Sequence, residues 1–215
     1  MADPSTSAPD PTPPTPESYL NSGNALLKDG NLAEAIALFQ QAIELDPQSL
    51  QAHNALGRAF LQNGQLVEAI ACFHQAIELK PKHFRAYYDL GRAFLKQGQL
   101  DRAVENFRKA ADLKPDNFRH HFDLGDVLLK QGDLEAAVDA FQRTIELNPD
   151  FVQAFSSLGR ARMQNQQFEE AIAPLTRATE LNPSAPAAYE SLGRAYLRIH
   201  RTDEAIAAFQ QAIHL

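Results

Sequence analysis

Seven histidines and one cysteine are the residues in this 215-residue chain best able to bind a metal or carry a proton. On a helix, two ligands that share a metal stand three or four residues apart. His74, His83, His200 and His214 have no second histidine or cysteine at that spacing, and His120 and His121 are adjacent, so their side chains point about 100° apart. Cys72 alone makes neither an internal disulfide nor a thiolate metal site, and beside Phe73 it reads as a small apolar filler. No glycine-rich phosphate loop and no Gly-x-Ser-x-Gly elbow occurs, and carboxylates are scattered singly. No catalytic constellation, metal site or cofactor is expected.

A different chemistry is patterned. Arg58, Arg92, Arg160 and Arg194 are spaced by multiples of 34 residues, and Asn24 and Asp126 fill the other two places of that column. Four residues on, Lys28, Lys96, Lys130 and Arg198 form a second column with Gln62 and Gln164. Arg85 and Arg119 stand three residues before Tyr88 and Phe122, again 34 apart, with Asp89 and Asp123 following. Guanidinium forks beside aromatic rings suit a partner that offers carboxylates and apolar anchors.

The elements that would position these side chains follow from the same period. Pro47, Pro81, Pro115, Pro149 and Pro183 are 34 residues apart, as are Gly23, Gly57, Gly91, Gly125, Gly159 and Gly193. Gly30, Gly64, Gly98 and Gly132 form a second column, which Gln166 and His200 complete. The copies run 16–49, 50–83, 84–117, 118–151, 152–185 and 186–215. Within each, apolar residues recur at three and four, break at the second glycine column, and recur again until the proline. About twelve helices, paired as antiparallel hairpins, and no strands are expected. Internal repeats of this length indicate stacked units.

The chain resembles the tetratricopeptide repeat family, column by column. The early ring column reads Tyr19, His53, Tyr87, His121, Phe155 and Tyr189, and a Leu-Gly pair follows it in copies two to six. The second helix carries alanine at 35, 69, 103, 137, 171 and 205, then Phe39, Phe73, Phe107, Phe141, Leu175 and Phe209. The resemblance covers everything but the leader and implies an all-α, right-handed superhelical solenoid. Gly57 and its equivalents are expected opposite the alanine column, letting the two helix backbones approach.

In the family the first helices line the concave side. The resemblance therefore places Asn24, Arg58, Arg85, Tyr88, Arg92, Lys96, Arg119, Phe122, Lys130, Arg160 and Arg194 along a groove. Lys and Arg exceed Asp and Glu by about five over the six first helices, within a chain of net charge −7. That overall charge argues against wholesale binding of duplex DNA. Some relatives hold chaperone tails with a lysine–asparagine clamp, but Leu20 and Ala55 stand where the clamp needs those residues. Others carry an asparagine ladder ahead of a glycosyltransferase domain; that column here reads Asn21, Ala55, Asp89, Asp123, Ser157 and Ser191. Two functions stay open: a non-enzymatic scaffold binding an acidic or amphipathic protein segment, and a substrate-recruiting arm of a longer enzyme such as a glycosyltransferase.

Three further expectations concern the remaining segments. Residues 1–15, with Pro4, Pro9, Pro11, Pro13 and Pro14 among Ser, Thr and Asp, read as a disordered leader. The fifth copy departs most from the pattern, with Arg162 in an apolar column, Gln166 for glycine, Leu175 for phenylalanine and Pro174 inside the second helix. Pro174 is expected to bend or shorten that helix, making the copy a weaker repeat or a hinge. The sixth copy presents Ile206 and Ile213 where another helix would stack, so self-association or continuation through that edge is expected. One cysteine, no signal-like segment and no long apolar run suit a soluble cytoplasmic protein without membrane insertion.

Overall fold

A computed structural model describes residues 14–215, and the expected leader falls largely outside them. Among the described residues there are twelve α-helices and no strand. They divide into two compact units, one ending at Pro81 and the other running Lys82–Leu215.

The first unit holds α1 (Pro16–Asp29), α2 (Leu32–Leu45), α3 (Leu50–Gln62) and α4 (Leu66–Leu79). Each helix packs on the next, and α1 also lies against α3. Thr15 belongs to this fold. Its hydroxyl accepts a hydrogen bond from the Ser18 N–H at 3.2 Å, and the Ser18 hydroxyl accepts one from the Thr15 N–H at 2.9 Å. That reciprocal pair, with Pro16 in the first turn, fixes the start of α1.

The second unit holds α5 (Phe84–Lys96), α6 (Leu100–Leu113), α7 (Phe118–Gln131), α8 (Leu134–Leu147), α9 (Val152–Gln164), α10 (Phe168–Leu181), α11 (Pro186–Arg198) and α12 (Thr202–His214). Successive helices pack in order, and the first helices of neighbouring repeats also touch, α7 on α9 and α9 on α11.

Every hairpin turns the same way. A left-handed residue follows the first helix: Gly30, Gly64, Gly98 and Gly132 at φ between 76° and 90°, then Gln166 and His200 at φ 61°. The next N–H reaches back to the carbonyl five residues earlier, as Asn31 does to Leu26 at 2.9 Å and Gln167 to Arg162 at 2.8 Å. This closes the helix end and launches the second helix one residue later. Each second helix that precedes a proline ends where that ring forbids a helical predecessor, as α4 does at Leu79 before Lys80-Pro81.

The core is built from one ring per repeat, with Leu175 in its place in the fifth. Phe39, Phe73, Phe107 and Phe141 are fully buried, and the alanines at 35, 69, 103, 137, 171 and 205 have no exposed surface. The first glycine column lies against this ring. The nearest neighbours of a Cβ added at Gly57 would be atoms of the Phe73 ring, the closest at 2.6 Å, and the same holds at Gly23 against Phe39. Glycine makes room for the ring of its own hairpin, and Gly159 does the same for Leu175.

In the fifth repeat the expected shortening of the second helix does not occur. α10 keeps the 14 residues of α2, α4, α6 and α8 although Pro174 lies inside it. Leu175 is buried and packs with Ala171, Leu192, Ala195 and Ala208, so the shorter side chain leaves this repeat closed.

Candidate functional site

The histidines of the ring column are held as structural links. His53 Nε2 lies 3.0 Å from the Pro47 carbonyl, and His121 Nε2 lies 3.0 Å from the Pro115 carbonyl. A carbonyl only accepts, so Nε2 carries the proton and the ring pins the inter-repeat loop to the following helix. Cys72 is half-buried, and burial, with Glu68 nearby, pushes its thiol up to about 11. A protonated thiol is a poor nucleophile and a poor ligand. Among the described residues no three His, Cys, Asp or Glu side chains stand together as a metal site, and no helix is long and apolar enough to cross a membrane.

In the first unit, Asn24 and Arg58 occupy equivalent places on the neighbouring helices α1 and α3, both half-buried. A cavity of this unit lies elsewhere. Gln40, Ile43, His53, Leu56 and Cys72 line about 630 Å³ between α2, α3 and α4, and neither Asn24 nor Arg58 lines it.

In the second unit, the first helices bring most of the expected residues onto one face. The Tyr88 hydroxyl donates to Asp123 Oδ2 at 2.5 Å, tying α5 to α7. Burial raises the Asp123 carboxyl, and the Tyr88 bond opposes that rise. The Tyr88 hydroxyl is itself pushed well above the ordinary tyrosine value by burial and then by Asp123. Behind this pair the buried ring of His120 stacks on Tyr88 and Phe84, with centroids 5.2 and 5.4 Å apart, and its Nε2 meets Asn117 Nδ2 at 3.1 Å.

Several expected cations are already engaged by carboxylates of the same face. Arg92 Nη1 lies 3.5 Å from the buried Asp89. Asp126 takes both Lys130 at 3.2 Å and Arg160 at 3.6 Å, and Arg194 pairs with Glu190. Lys96 is exposed in the last turn of α5. Arg85 and Arg119 are exposed and make no ion pair among the described residues; Arg119 leans over the Phe118 ring at 5.6 Å. The face is therefore mixed in charge, with its unpaired guanidinium groups at the starts of α5 and α7.

Beyond Arg119 the face opens into a cavity of about 630 Å³ between α7, α9 and α11. Phe122, Val152, Leu181 and Ala188 supply its apolar lining, and Asp126, Gln153, Ser157, Arg160 and Ser191 its polar one. Phe122 is held by an edge-on contact with Phe151 at 4.9 Å. Val152, Leu181 and Ser156 were not singled out in the sequence. Leu181 enters from the end of a second helix, which a pattern built on first helices does not reach.

The sequence pattern of the tetratricopeptide repeat matches residues 20–84, 67–118, 88–151 and 156–215. A comparison with curated protein sequences finds no match. Among solved structures, MamA is similar at 25% identity and a TM-score of 0.71, over 74% of this chain and 93% of that one. YrrB, a TPR protein described as having an unusual peptide-binding site, is similar at 24% identity and a TM-score of 0.75, over 82% and 91%. PilF of Pseudomonas aeruginosa shares 19% identity with a TM-score of 0.74, over 90% and 88%. The repeated hairpin, its phenylalanine-on-glycine core and these matches agree, and the chain belongs to the tetratricopeptide repeat family.

Proposed function

We propose that the chain is a cytoplasmic interaction scaffold that binds an extended or helical protein segment along the first-helix face of its second unit. The cavity between α7, α9 and α11 carries this reading, because it pairs an apolar lining with a polar rim. An apolar side chain of the partner enters beside Phe122 and Val152. Acidic residues of the same segment meet Arg85 and Arg119, which are exposed and make no ion pair among the described residues. A second contact surface is proposed on α12, where Ile206 is 50% and Ile213 82% exposed; their equivalents on α6, Val104 and Ala111, are buried.

Peptide-array mapping with the whole chain, followed by titration of the selected peptides at two salt concentrations, tests the groove. Acidic peptides with an apolar anchor are expected, and their affinity should fall as salt rises. Arg119→Glu should weaken binding about tenfold, as expected when like charges face each other across a partly desolvated groove, while the melting temperature stays unchanged. Arg119 is a cleaner probe than Arg92, whose reversal would set a carboxylate against buried Asp89. Salt-independent affinity, with Arg119→Glu binding like the parent, would overturn the assignment.

A further inference from the structure

Two of the departures in the fifth repeat meet in space. Proline at 174 has no N–H, so the carbonyl of Glu170, four residues earlier, loses its intrahelical donor. The Arg162 guanidinium fills that place: Nη1 donates to the Glu170 carbonyl oxygen at 2.7 Å, across the turn between α9 and α10. Meanwhile the Arg162 carbonyl accepts the Gln167 N–H at 2.8 Å. One residue thus grips both sides of the Asn165–Gln167 turn.

Elsewhere the Arg162 column holds Leu26, Phe60, Phe94, Leu128 and Tyr196; the first four have no side-chain donor, and only Tyr196 carries a hydroxyl. The second helices of the other repeats have no proline to require one.

We infer that Arg162 is a positioning residue that replaces the missing backbone donor of Pro174 and splints α9 to α10. The bond explains why α10 runs its full length through proline and why a charged residue is kept in an otherwise apolar column. It also bears on the groove, because α9 carries Val152, Ser157 and Arg160 while α10 ends at Leu181, and all four line the same cavity.

The inference makes a sign-reversing prediction. Arg162→Leu restores the apolar residue of the column, so packing alone would leave the protein equal or more stable. The splint predicts the reverse. In the parent, Arg162→Leu should speed amide exchange over 171–179 roughly tenfold, the scale of one carbonyl left without its donor. In the Pro174→Ala background, where the alanine N–H can donate to the Glu170 carbonyl, the same change should leave exchange equal or slower. Exchange mass spectrometry on the four whole-chain variants, with circular dichroism confirming that each is folded, reads the coupling. Equal effects of Arg162→Leu in the two backgrounds would overturn the inference, as would unchanged exchange in the parent.

Discussion

Burial of the His120 ring between Phe84 and Tyr88 ties the stability of the second unit to pH. Burial holds this histidine below its ordinary value, so the folded state favours the neutral ring. That contribution is fully present above the unfolded value of about 6.5 and is lost as pH falls through the lower folded value. Asp123 carries the opposite sign: its raised carboxyl favours folding below the ordinary carboxylate value and loses that contribution as pH rises through the folded one. His120→Phe removes only the first contribution, so between pH 7.5 and 5 its melting temperature should fall less, or rise more, than the parent's. An unaltered slope in that variant would show that the ring titrates freely.

The two glycine columns separate by mechanism at the same scale. A Cβ at Gly125 would meet Phe141 Cε1 at 2.8 Å, whereas one at Gly132 meets nothing within 4 Å but sits at φ 90°. Gly125→Ala should cost about 1–3 kcal/mol by overpacking. Gly132→Ala should cost about 1–2 kcal/mol through its left-handed backbone. Urea denaturation of both variants gives the two costs, and a neutral Gly125→Ala would mean that the Phe141 ring can move aside.

At the scale of the helical hairpin, Gln166 and His200 hold the left-handed conformation that glycine holds in the other four turns. His200→Gly should raise stability by up to about 1 kcal/mol, since the strain it relieves exceeds the added freedom of the unfolded chain. Thermal melts of His200→Gly and Gln166→Gly check this, and a fall in both would show that these side chains make contacts worth more than the strain. The hairpins themselves were legible from proline and glycine spacing, which set where each helix ends. Several contacts were not. The Tyr88–Asp123 bond joins residues 35 apart on different helices. The sharing of Asp126 by Lys130 and Arg160 needs their rotamers. Counting charges by column gave a basic stripe, and only side-chain positions reveal that much of it is already paired. The phenylalanine-on-glycine contact escaped for a related reason. Periodicity places both residues on facing sides of a hairpin, but not how closely the ring edge approaches the glycine.

For the molecule as a whole, self-association through the exposed α12 face proposed above would rest on two side chains. Ile206 and Ile213 stand about two turns apart on one helix face and are the largest exposed apolar groups there along with Leu215. Light scattering at rising concentration should show self-association, and the double change Ile206→Lys with Ile213→Lys should abolish it without lowering the melting temperature. A monomer at every concentration, equally soluble with and without the lysines, would rule this surface out.

The unequal turns also carry a kinetic consequence. In the second unit, the hairpins closed by Gly98 and Gly132 form without backbone strain, while those closed by Gln166 and His200 must enter a sparsely populated region first. Repeat arrays can nucleate at one hairpin and propagate to neighbours. Folding should then begin at α5–α8 and zip toward α12, and unfolding should retrace that order, with α11–α12 opening first. Pulsed exchange during refolding would see protection arrive at Phe107 and Phe141 before Leu175 and Phe209. Simultaneous arrival would mean that the unit closes as a single cooperative block.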